Sequence, residues 1–538
     1  MRGNARRTTR AAAYVASAGL AISGTLLAVT PAQSAPPPAT PAAEAATWLD
    51  GQLTGGLMHN PNFGGFDDYG LSVDTGFALT DIGGHSTAVS DIKDALADHV
   101  DDYVTPFGGP HSYTGSLAKL AAFVGYPADT SFGSQNLVTQ LEARVASAAP
   151  IAGRLQDTGY TAGSQFDDDA ANVLGQAYAA AALSAAHSSK ADAVTDFLLK
   201  QQCSSGYFRL NFTSSKTATN QSCTNGTDPA DPDATAIAVL FLASQSSTTN
   251  VGTAITKAKS WLVDQQRCDG SFGGGPTTTG SNANSTGVIA WALGDSPASR
   301  QAATWLRAHQ ATSADSGNSL ASQTGAIAYD DAALAAGRTN AITTGVEDQW
   351  RRATSQAAIG IKAYSASPTP AISLTGPASY LKARSNVALQ ATGADVGTVL
   401  CVTGPGASTR GIAAANGLKS TVTLPAGTAT RVYTLTDPFG HKDTQALKVL
   451  GAKKLTVAKS RAKVKRGRVV LATLKGLAPG ETARIYYKGA LVRQGVAGAK
   501  GNFLARFDVG RAKGKKWLTG YGQFSDIRSG ATRIKVVR

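Results

Sequence analysis

A two-part phrase recurs between residues 43 and 340 and constrains the fold of this chain more than any other feature. In its first half a Leu stands three positions before a Gln. In its second half a Thr is followed by Gly or Ala and then by small apolar residues. With degenerate copies, each half occurs six times in strict alternation. First halves include Trp48-Leu49-x-x-Gln52, Asn136-Leu137-x-x-Gln140, Phe197-Leu198-x-x-Gln201 and Trp261-Leu262-x-x-Gln265, and second halves include Asp74-Thr75-Gly76, Ala234-Thr235-Ala236, Ser285-Thr286-Gly287 and Gln323-Thr324-Gly325. Such alternation predicts an array of repeated structural units.

The two halves predict two kinds of helix. Asp, Asn, Ser or Thr before an Ala- and Leu-rich run is typical of a helix N-terminus, because the side-chain oxygen accepts the unpaired first amides. The second half therefore opens a helix, whose small residues suit a closely packed inner ring. The helix that ends in the first half carries charges such as Lys257 and Arg307, which favours an outer position. Gly-rich aromatic turns such as Gly270-Ser271-Phe272 join the helices, and six pairs predict a closed ring.

These segments carry a family resemblance. Gln265-Gln266-x-x-Asp269-Gly270-Ser271-Phe272 and Ser72-Val73-Asp74-Thr75-Gly76 resemble the repeats of the squalene cyclase and protein prenyltransferase superfamily, the prenyltransferase/squalene oxidase repeats. The resemblance implies a terpenoid cyclase-like (α/α)6 toroid, which is similar also to the cobalamin carriers of the transcobalamin and intrinsic factor type. Because the repeat residues are mainly scaffold, it concerns the fold more than the chemistry.

The resemblance also implies where a ligand would bind. In such toroids the inner helices run parallel, so their N-termini share one mouth, where their partial positive charge favours anions and carboxylates. We expect a hydrophobic or corrinoid-like small molecule there. The side chains predicted at this mouth are Asp74, Tyr113, Asp167, Asp168, Asp169, Asp231, Asp233, Asn284 and Ser285.

One segment resembles a catalytic motif. Asp231-Pro232-Asp233-Ala234-Thr235-Ala236 is similar to the Asp-x-Asp-Asp-Thr-Ala motif of class II terpene cyclases, which implies Asp233 as an acid and Asp231 as its support. Ala234 replaces the third carboxylate, and aromatic residues make up only 7% of the chain, with many of them in turns. Asp233 as a simple helix cap is the competing interpretation. The sequence favours a non-catalytic protein, and no catalytic residue is assigned.

Other chemistries lack a matching pattern in the sequence. Cys268-Asp269 has the wrong order and spacing for the zinc site of the prenyltransferases, and no inner-helix start directly follows a His. The motifs of serine hydrolases, thioester proteins, phosphate loops and dinucleotide folds are missing. We therefore predict no metal and no cofactor. Five histidines are interpreted as surface or loop groups: His59, His85, His99, His111 and His309.

The four cysteines suit an exported protein that keeps a disulfide. Cys203 and Cys223 bracket a polar loop and form the favoured pair, while a pairing of either one with Cys268 stays open. Cys401, in an apolar run, is interpreted as a buried thiol.

The N-terminus predicts export. Four arginines precede an apolar stretch and small residues up to Ala35, so residues 1–35 read as a secretory signal peptide. A twin-arginine signal at Arg6-Arg7 is less favoured, because polar residues follow it. No later stretch approaches the ~20 apolar residues of a membrane span. High Ala, Gly and Thr with two Met suits an actinobacterial source.

The pattern changes after the toroid, predicted at 36–366. From there apolar residues alternate with period two, as in Arg431-Val432-Tyr433-Thr434-Leu435, which predicts two Ig-like sandwiches at 367–450 and 451–538. The last one holds 22 Lys and Arg against three acids, a net +19, whereas the whole chain is +14. Outside a bacterial cell such a domain would meet anionic cell-wall polymers such as teichoic acids. A merely solvated basic face is the alternative, and nucleic acid is not expected, because no reading motif is present.

Overall fold

Helices dominate the chain up to residue 363, and strands follow from residue 373. The computed structural model describes residues 40–125, 131–164, 167–245, 248–366 and 369–538, so the predicted signal peptide lies outside the described residues. None of the helices in these ranges combines the length and apolarity needed to cross a bilayer. The helices are α1 (Pro41–Asp50), α2 (Tyr69–Ile82), α3 (Ser86–Asp98), α4 (Val100–Val104), α5 (Thr114–Val124), α6 (Leu137–Ala143), α7 (Val173–Ala185), α8 (Ala191–Leu199), α9 (Pro232–Leu242), α10 (Thr249–Gln265), α11 (Ala283–Leu293), α12 (Pro297–Ala308), α13 (Asp331–Asn340) and α14 (Thr344–Ala357).

Six helices form a closed ring. In the order α2, α5, α7, α9, α11, α14, each contacts the next, and α14 contacts α2 again. The helices α1, α3, α6, α8, α10 and α12 alternate with them along the chain, and most of these contact only one or two members of the ring. One core of buried apolar side chains runs through all of these helices, from Ala42 to Ile361.

Small residues let neighbouring inner helices touch. A Cβ on Gly175 in α7 would lie 2.9 Å from the Cα of Gly115 in α5, and one on Gly287 in α11 would lie 2.3 Å from the Cα of Ala357 in α14. Gly115 and Gly175 stand at the second and third positions of their helices. The starts of α5 and α7 therefore lie side by side on one rim.

A hydroxyl on the inner helix holds the preceding turn. The Thr235 hydroxyl of α9 accepts the Phe208 amide at 2.9 Å, the Thr286 hydroxyl of α11 accepts the Phe272 amide at 2.9 Å, and the Thr354 hydroxyl of α14 accepts the Ile327 amide at 2.9 Å. Each turn thereby gains a partner for a buried backbone donor. In α9 and α11 the Thr of the repeated phrase is thus a cross-link between turn and helix, whereas Thr75 of α2 donates to the Leu71 carbonyl of its own helix at 3.0 Å.

Three details of the repeat were predicted wrongly. In α2 the cap is Asp68, so Asp74 lies one and a half turns inside the helix and caps nothing. Leu137 opens α6 after the cap Asn136 instead of ending a helix. The Thr324-Gly325 copy opens no helix, because Gly325 has a φ of 101° and a Cβ there would lie 2.0 Å from the Glu44 carbonyl oxygen. The sixth inner helix is α14.

The strands form two consecutive two-sheet units after a small antiparallel sheet of β1 to β3. In the first unit the sheets are β4-β6-β9 and β5-β11-β10-β7-β8, and in the second they are β13-β15-β18 and β12-β20-β19-β16-β17, with β14 on β20. Each unit has its own apolar core. The strands are β1 (Leu53–Thr54), β2 (Leu57–Asn60), β3 (Phe66–Asp67), β4 (Ser373–Thr375), β5 (Leu381–Lys382), β6 (Asn386–Thr392), β7 (Val399–Gly404), β8 (Ala407–Ile412), β9 (Leu418–Thr423), β10 (Ala429–Thr436), β11 (Lys442–Leu450), β12 (Lys453–Lys454), β13 (Thr456–Lys459), β14 (Lys463–Lys465), β15 (Val469–Lys475), β16 (Thr482–Tyr487), β17 (Ala490–Val496), β18 (Asn502–Asp508), β19 (Gly514–Tyr521) and β20 (Arg528–Val537).

Two disulfides are present, Cys203–Cys223 and Cys268–Cys401. The interpretation of Cys401 as a free buried thiol was wrong. Its neighbours Leu400 and Val402 point into the core of the first β unit, so Cys401 points the other way, towards the end of α10. There Arg410 of β8 also donates to the Val263 carbonyl at 2.7 Å. The first β unit is thus fastened to the end of the outer helix α10.

Candidate functional site

The ring of helices surrounds a cavity of about 350 Å³. Every inner helix contributes to its wall, and the wall is mostly apolar with a few polar groups, as is usual for small-molecule sites. The lining residues are Asp74, Phe77, Lys119, Leu174, Tyr178, Asp233, Ile237, Phe241, Val288, Trp291, Ser355, Gln356 and Ile359.

Four aromatic side chains from four helices form a continuous cluster on this wall. The ring centroids of Tyr178 and Phe241 are 4.5 Å apart, those of Phe77 and Phe241 are 5.6 Å apart, and Trp291 lies 6.5 Å from Phe241, all edge to face. Edge-to-face contacts are a favourable aromatic geometry. The low aromatic content of the chain did not suggest such a cluster, but four of its aromatic residues come together on this wall.

Asp233 brings a carboxyl group to the cavity from the first turn of α9. Burial raises its pKa, and the nearby Asp231 carboxylate adds to that rise. Hydrogen bonds from the Ser285 hydroxyl and the Gly275 amide oppose it, and the net result is a pKa of about 6. Burial thus brings the pKa of Asp233 near neutral pH, where the carboxyl group can either hold or release a proton.

Asp231 has a different position and a structural task. It caps α9 by accepting the Ala234 amide at 2.8 Å, and it is absent from the cavity wall. Burial raises its pKa too, against the lowering effect of the Ala234 and Asp233 amides. The glycine loop after α10 covers both acids, since a Cβ on Gly274 would lie 2.2 Å from Asp233 Oδ2 and one on Gly275 would lie 2.2 Å from Asp231 Oδ2.

An ion pair from α2 and α5 also lines the cavity. The Lys119 ammonium lies 2.7 Å from Asp74 and donates to the Gly70 carbonyl at 3.0 Å. Burial lowers the pKa of Lys119, but Asp74 together with Tyr103 and Tyr178 outweighs this effect and holds that pKa above its usual value. Lys119 was not predicted as a site residue. The signal was a single Lys inside the apolar run Leu117–Ala122.

The predicted residues Tyr113 and Asp167 to Asp169 do not line the cavity; they belong to a separate cluster before α5 and α7. His111 lies between Asp157, at 3.2 Å, and Asp167, at 2.5 Å, and stacks on Tyr113 with ring centroids 4.1 Å apart. It lies in a loop, one of the two positions that the sequence suggested, but it is buried, with 9% of it exposed. The cluster cross-links the loops that precede two inner helices.

The three predicted acids of this cluster differ in their contacts. Asp169 pairs with Arg154 and with Lys216, each at 2.6 Å. Burial raises the pKa of Asp169, but hydrogen bonds from the Asp157 amide and both cations hold it below its usual value. Asp168 is exposed and accepts the Asp169 amide. We interpret Asp168 and Asp169 as structural groups.

The last predicted pair lies at the start of α11, which is capped by Asn282. The Ser285 hydroxyl contacts Asp233, as described above, whereas the Asn284 amide donates to the Gln356 side chain at 2.8 Å. Among the described residues, Cys203, Cys223 and Asp228 form the one grouping with metal-ligand proximity. Their two sulfurs are joined in a disulfide, so that grouping offers no thiolate.

Comparisons with known proteins give no family. No family model and no curated protein matches the chain. Among solved structures, a protein from Actinoplanes is 16% identical, with 60% of this chain and 98% of that chain covered and a TM-score of 0.40. The type II terpene cyclase MstE from Scytonema is 15% identical, with coverages of 60% and 96% and a TM-score of 0.39. Fibronectin(III)-like modules of Clostridium thermocellum CbhA are 11% identical, with coverages of 30% and 93% and a TM-score of 0.19.

Proposed function

We propose that the chain is an exported, non-catalytic binding protein, whose helical part is an (α/α)6 toroid that holds a small, largely apolar molecule. The observation that carries this proposal is the cavity of about 350 Å³ with its cluster of Phe77, Tyr178, Phe241 and Trp291. Burying apolar ligand surface against such a wall is favourable by ~25 cal/mol per Å². A corrinoid is less favoured, because the cavity is at the lower end of the size range for small-molecule pockets.

Thermal shift and tryptophan fluorescence test this proposal. Linear isoprenoids such as squalene and geranylgeraniol, and a corrinoid for comparison, are added to the purified protein. A bound isoprenoid raises the unfolding temperature by mass action and changes the emission of Trp291. The Trp291→Phe variant should lose the emission change but keep the thermal shift. If none of these molecules changes either signal, the proposed ligand class is wrong.

The second part of the proposal concerns the basic β unit. We propose that residues 451–538 attach the exported protein to anionic cell-wall polymers, on the evidence of their net charge of +19. Attraction between exposed charges is screened over ~8 Å at physiological ionic strength. Retention of the protein on isolated cell walls should therefore fall as salt is added, and retention that salt does not change would contradict the electrostatic account.

One observation favours a second candidate, an acid-initiated terpene cyclase-like activity. Asp233 faces an aromatic cavity, and its pKa is raised to about 6 by burial. A protonated carboxyl group could donate to an alkene there, and aromatic faces stabilise cations. Incubation with squalene or geranylgeranyl diphosphate decides between the candidates. A cyclised product that the Asp233→Asn variant does not form, while Asp168→Asn still forms it, would overturn the non-catalytic proposal.

A further inference from the structure

The last β unit presents one strongly basic and aromatic sheet face to solvent. In β19 and β20, Leu518, Ile534 and Val536 point into the core of the unit. Because side chains alternate along a strand, Trp517 and Arg533 point away from it. We call the outward residues of β16, β19 and β20 the outer face: Thr482, Arg484, Tyr486, Lys515, Trp517, Thr519, Tyr521, Ser529, Ala531, Arg533 and Lys535.

Cations on the outer face lie in register across neighbouring strands. Lys515 of β19 is paired with Lys535 of β20, and Lys535 is paired in turn with Lys463 of β14. Trp517 stands opposite Arg533 in the next row. Like charges directly opposite each other disfavour the sheet, so their placement costs stability. A ligand that carries negative charges would remove this repulsion.

The three acids of the unit lie elsewhere. Glu481 is buried in an ion pair with Arg528, at 2.7 Å. Asp526 pairs with Lys382 of the first β unit. Asp508 belongs to β18, in the other sheet. None of these three carboxylates belongs to the outer face. Asp526 lies beside it, in a groove that Tyr521 also lines, but is paired with Lys382.

Aromatic rings alternate with these cations. Trp517 is 50% exposed, and the Arg533 guanidinium lies 4.1 Å from its ring centroid. Tyr486 and Tyr521 meet edge to face with centroids 5.6 Å apart. The Trp517 ring thus keeps an exposed apolar surface beside the guanidinium that it contacts. Such rings can take the C–H face of a sugar or polyol, with the cations beside them.

A groove continues from the outer face along the edge of the sheet. It measures about 570 Å³, and Tyr521 and Thr519 form one wall, while Lys453 and Lys454 of β12 form the other. The groove is open to solvent, so an occupant can extend beyond it. Its lysines extend the positive charge of the outer face by one strand.

From this arrangement we propose that the outer face binds a phosphate-bearing glycan or polyol polymer, with phosphates on Arg533, Lys515 and Lys535 and ring or polyol carbons on Trp517. This inference rests on the proposed attachment to cell-wall polymers and specifies its site and ligand class. Nucleic acid fits less well, because single strands stack successive bases on several aromatic faces. Here Arg533 covers one face of Trp517, and Tyr486 and Tyr521 meet edge to face.

Binding of the full-length protein to purified glycerol-phosphate teichoic acid, with inorganic polyphosphate as a bare polyanion, tests the proposal. Trp517→Ala should weaken teichoic acid binding roughly tenfold and leave polyphosphate binding unchanged. Trp517→Tyr should retain most of the affinity, because it keeps an aromatic surface. This result would show that Trp517→Ala acts through the missing ring and not through a disturbed fold. The double variant Lys515→Gln/Lys535→Gln should weaken binding of both polymers.

Leu504→Ala is the matched control, because Leu504 is a similarly exposed apolar residue, 46% accessible, on the other sheet. If Trp517→Ala binds teichoic acid as tightly as Leu504→Ala does, the inference is wrong, while salt-sensitive binding by all variants leaves the proposed attachment intact. Wild-type protein that binds neither polymer overturns both. Tighter binding of single-stranded DNA than of teichoic acid, lost in Trp517→Ala, would also overturn the inference.

Discussion

The two carboxylates of the cavity differ in how their charge is balanced. Asp74 lies 2.7 Å from the Lys119 ammonium, whereas Asp233 has only a hydroxyl and an amide as donors. A full charge on Asp233 therefore lacks a counter-ion in a poorly hydrated place, and the folded chain favours its protonated form. This difference makes Asp233 sensitive to pH and Asp74 sensitive to the loss of its partner.

Asp233 should make the fold less stable as pH rises. Its folded pKa of about 6 exceeds the ~3.9 of an unfolded Asp, so folding takes up a proton between these values and stability falls through that window. The Asp233→Asn variant should lack this loss. Its free energy of unfolding relative to that of wild type should therefore rise by about 2 to 3 kcal/mol from pH 4 to pH 7.5. Urea unfolding at both pH values measures it. An equal gain in the exposed-site control Asp168→Asn would contradict the assignment.

Loss of Asp74 should leave a buried ammonium without a counter-ion. Asp74→Asn is expected to lower the free energy of unfolding by about 3 kcal/mol, and Asp74→Asn/Lys119→Met should recover much of it. The matched control is Asp81→Asn, which breaks the exposed Lys362–Asp81 pair and should cost no more than ~1 kcal/mol. Equal losses in the two single variants would show that the cavity pair is not desolvated.

At the scale of helices and turns, the repeat in the sequence predicted much of the architecture but misplaced several boundaries. The starts of α7 and α9 were predicted from their small-residue runs, because local capping and composition set them. The copy at Thr324-Gly325 matches the repeated phrase in sequence. Its backbone conformation, however, is set by contact with Glu44 of α1, which is distant in sequence. Such a contact is invisible in a single sequence.

The glutamine of the phrase shows the same limit. The sequence highlighted Gln265, yet its neighbour Gln266 bridges the following turn and the next outer helix through the Gly270 and Ala298 carbonyls, at 2.9 and 2.8 Å. Gln310 does the same with Gly325 and Pro41. The sequence does not distinguish two adjacent glutamines. The residue at which the helix ends determines which of the two side chains points inward. The cavity aromatics were missed for a similar reason, since they come from separate helices.

Close packing of α5 against α7 predicts an asymmetric response to added methyl groups. Gly175→Ala should destabilise the protein by about 1 to 2 kcal/mol, because its Cβ would lie 2.9 Å from the Gly115 Cα. Gly115→Ala meets that helix at an ordinary 3.9 Å and should be tolerated. Gly345→Ala in α14, with open space around it, should gain about 0.5 to 1 kcal/mol. Thermal unfolding of the three variants checks this order, and a stabilising Gly175→Ala would contradict the packing.

At the scale of the whole molecule, the helical ring and the first β unit are joined covalently as well as by contact. The Cys268–Cys401 bond spans 133 residues, and Arg410 and Val399 add hydrogen bonds to the ring beside it. The sequence did not predict this bond, because its two cysteines are far apart in the chain. The helices around the cavity are therefore tied to the first β unit.

The two disulfides should differ in their contribution to stability. Closing a loop of 133 residues removes more entropy from the unfolded chain than closing one of 20. In the chain-entropy model the difference corresponds to about 5 against about 3 kcal/mol. The double variant Cys268→Ser/Cys401→Ser should therefore unfold at lower urea concentration than Cys203→Ser/Cys223→Ser does. The reverse order would show that local strain or packing outweighs loop length.

Filling the cavity is the most direct test of a ligand-binding ring. Val288→Trp places a large side chain among the lining residues, and Val346→Trp adds the same side chain at a site 41% exposed on α14. Binding of the neutral apolar dye N-phenyl-1-naphthylamine is then titrated by fluorescence against the wild-type protein and both variants. We expect saturable binding by wild type and Val346→Trp, and an affinity at least tenfold weaker in Val288→Trp. Equal binding by all three, or none by wild type, would contradict it.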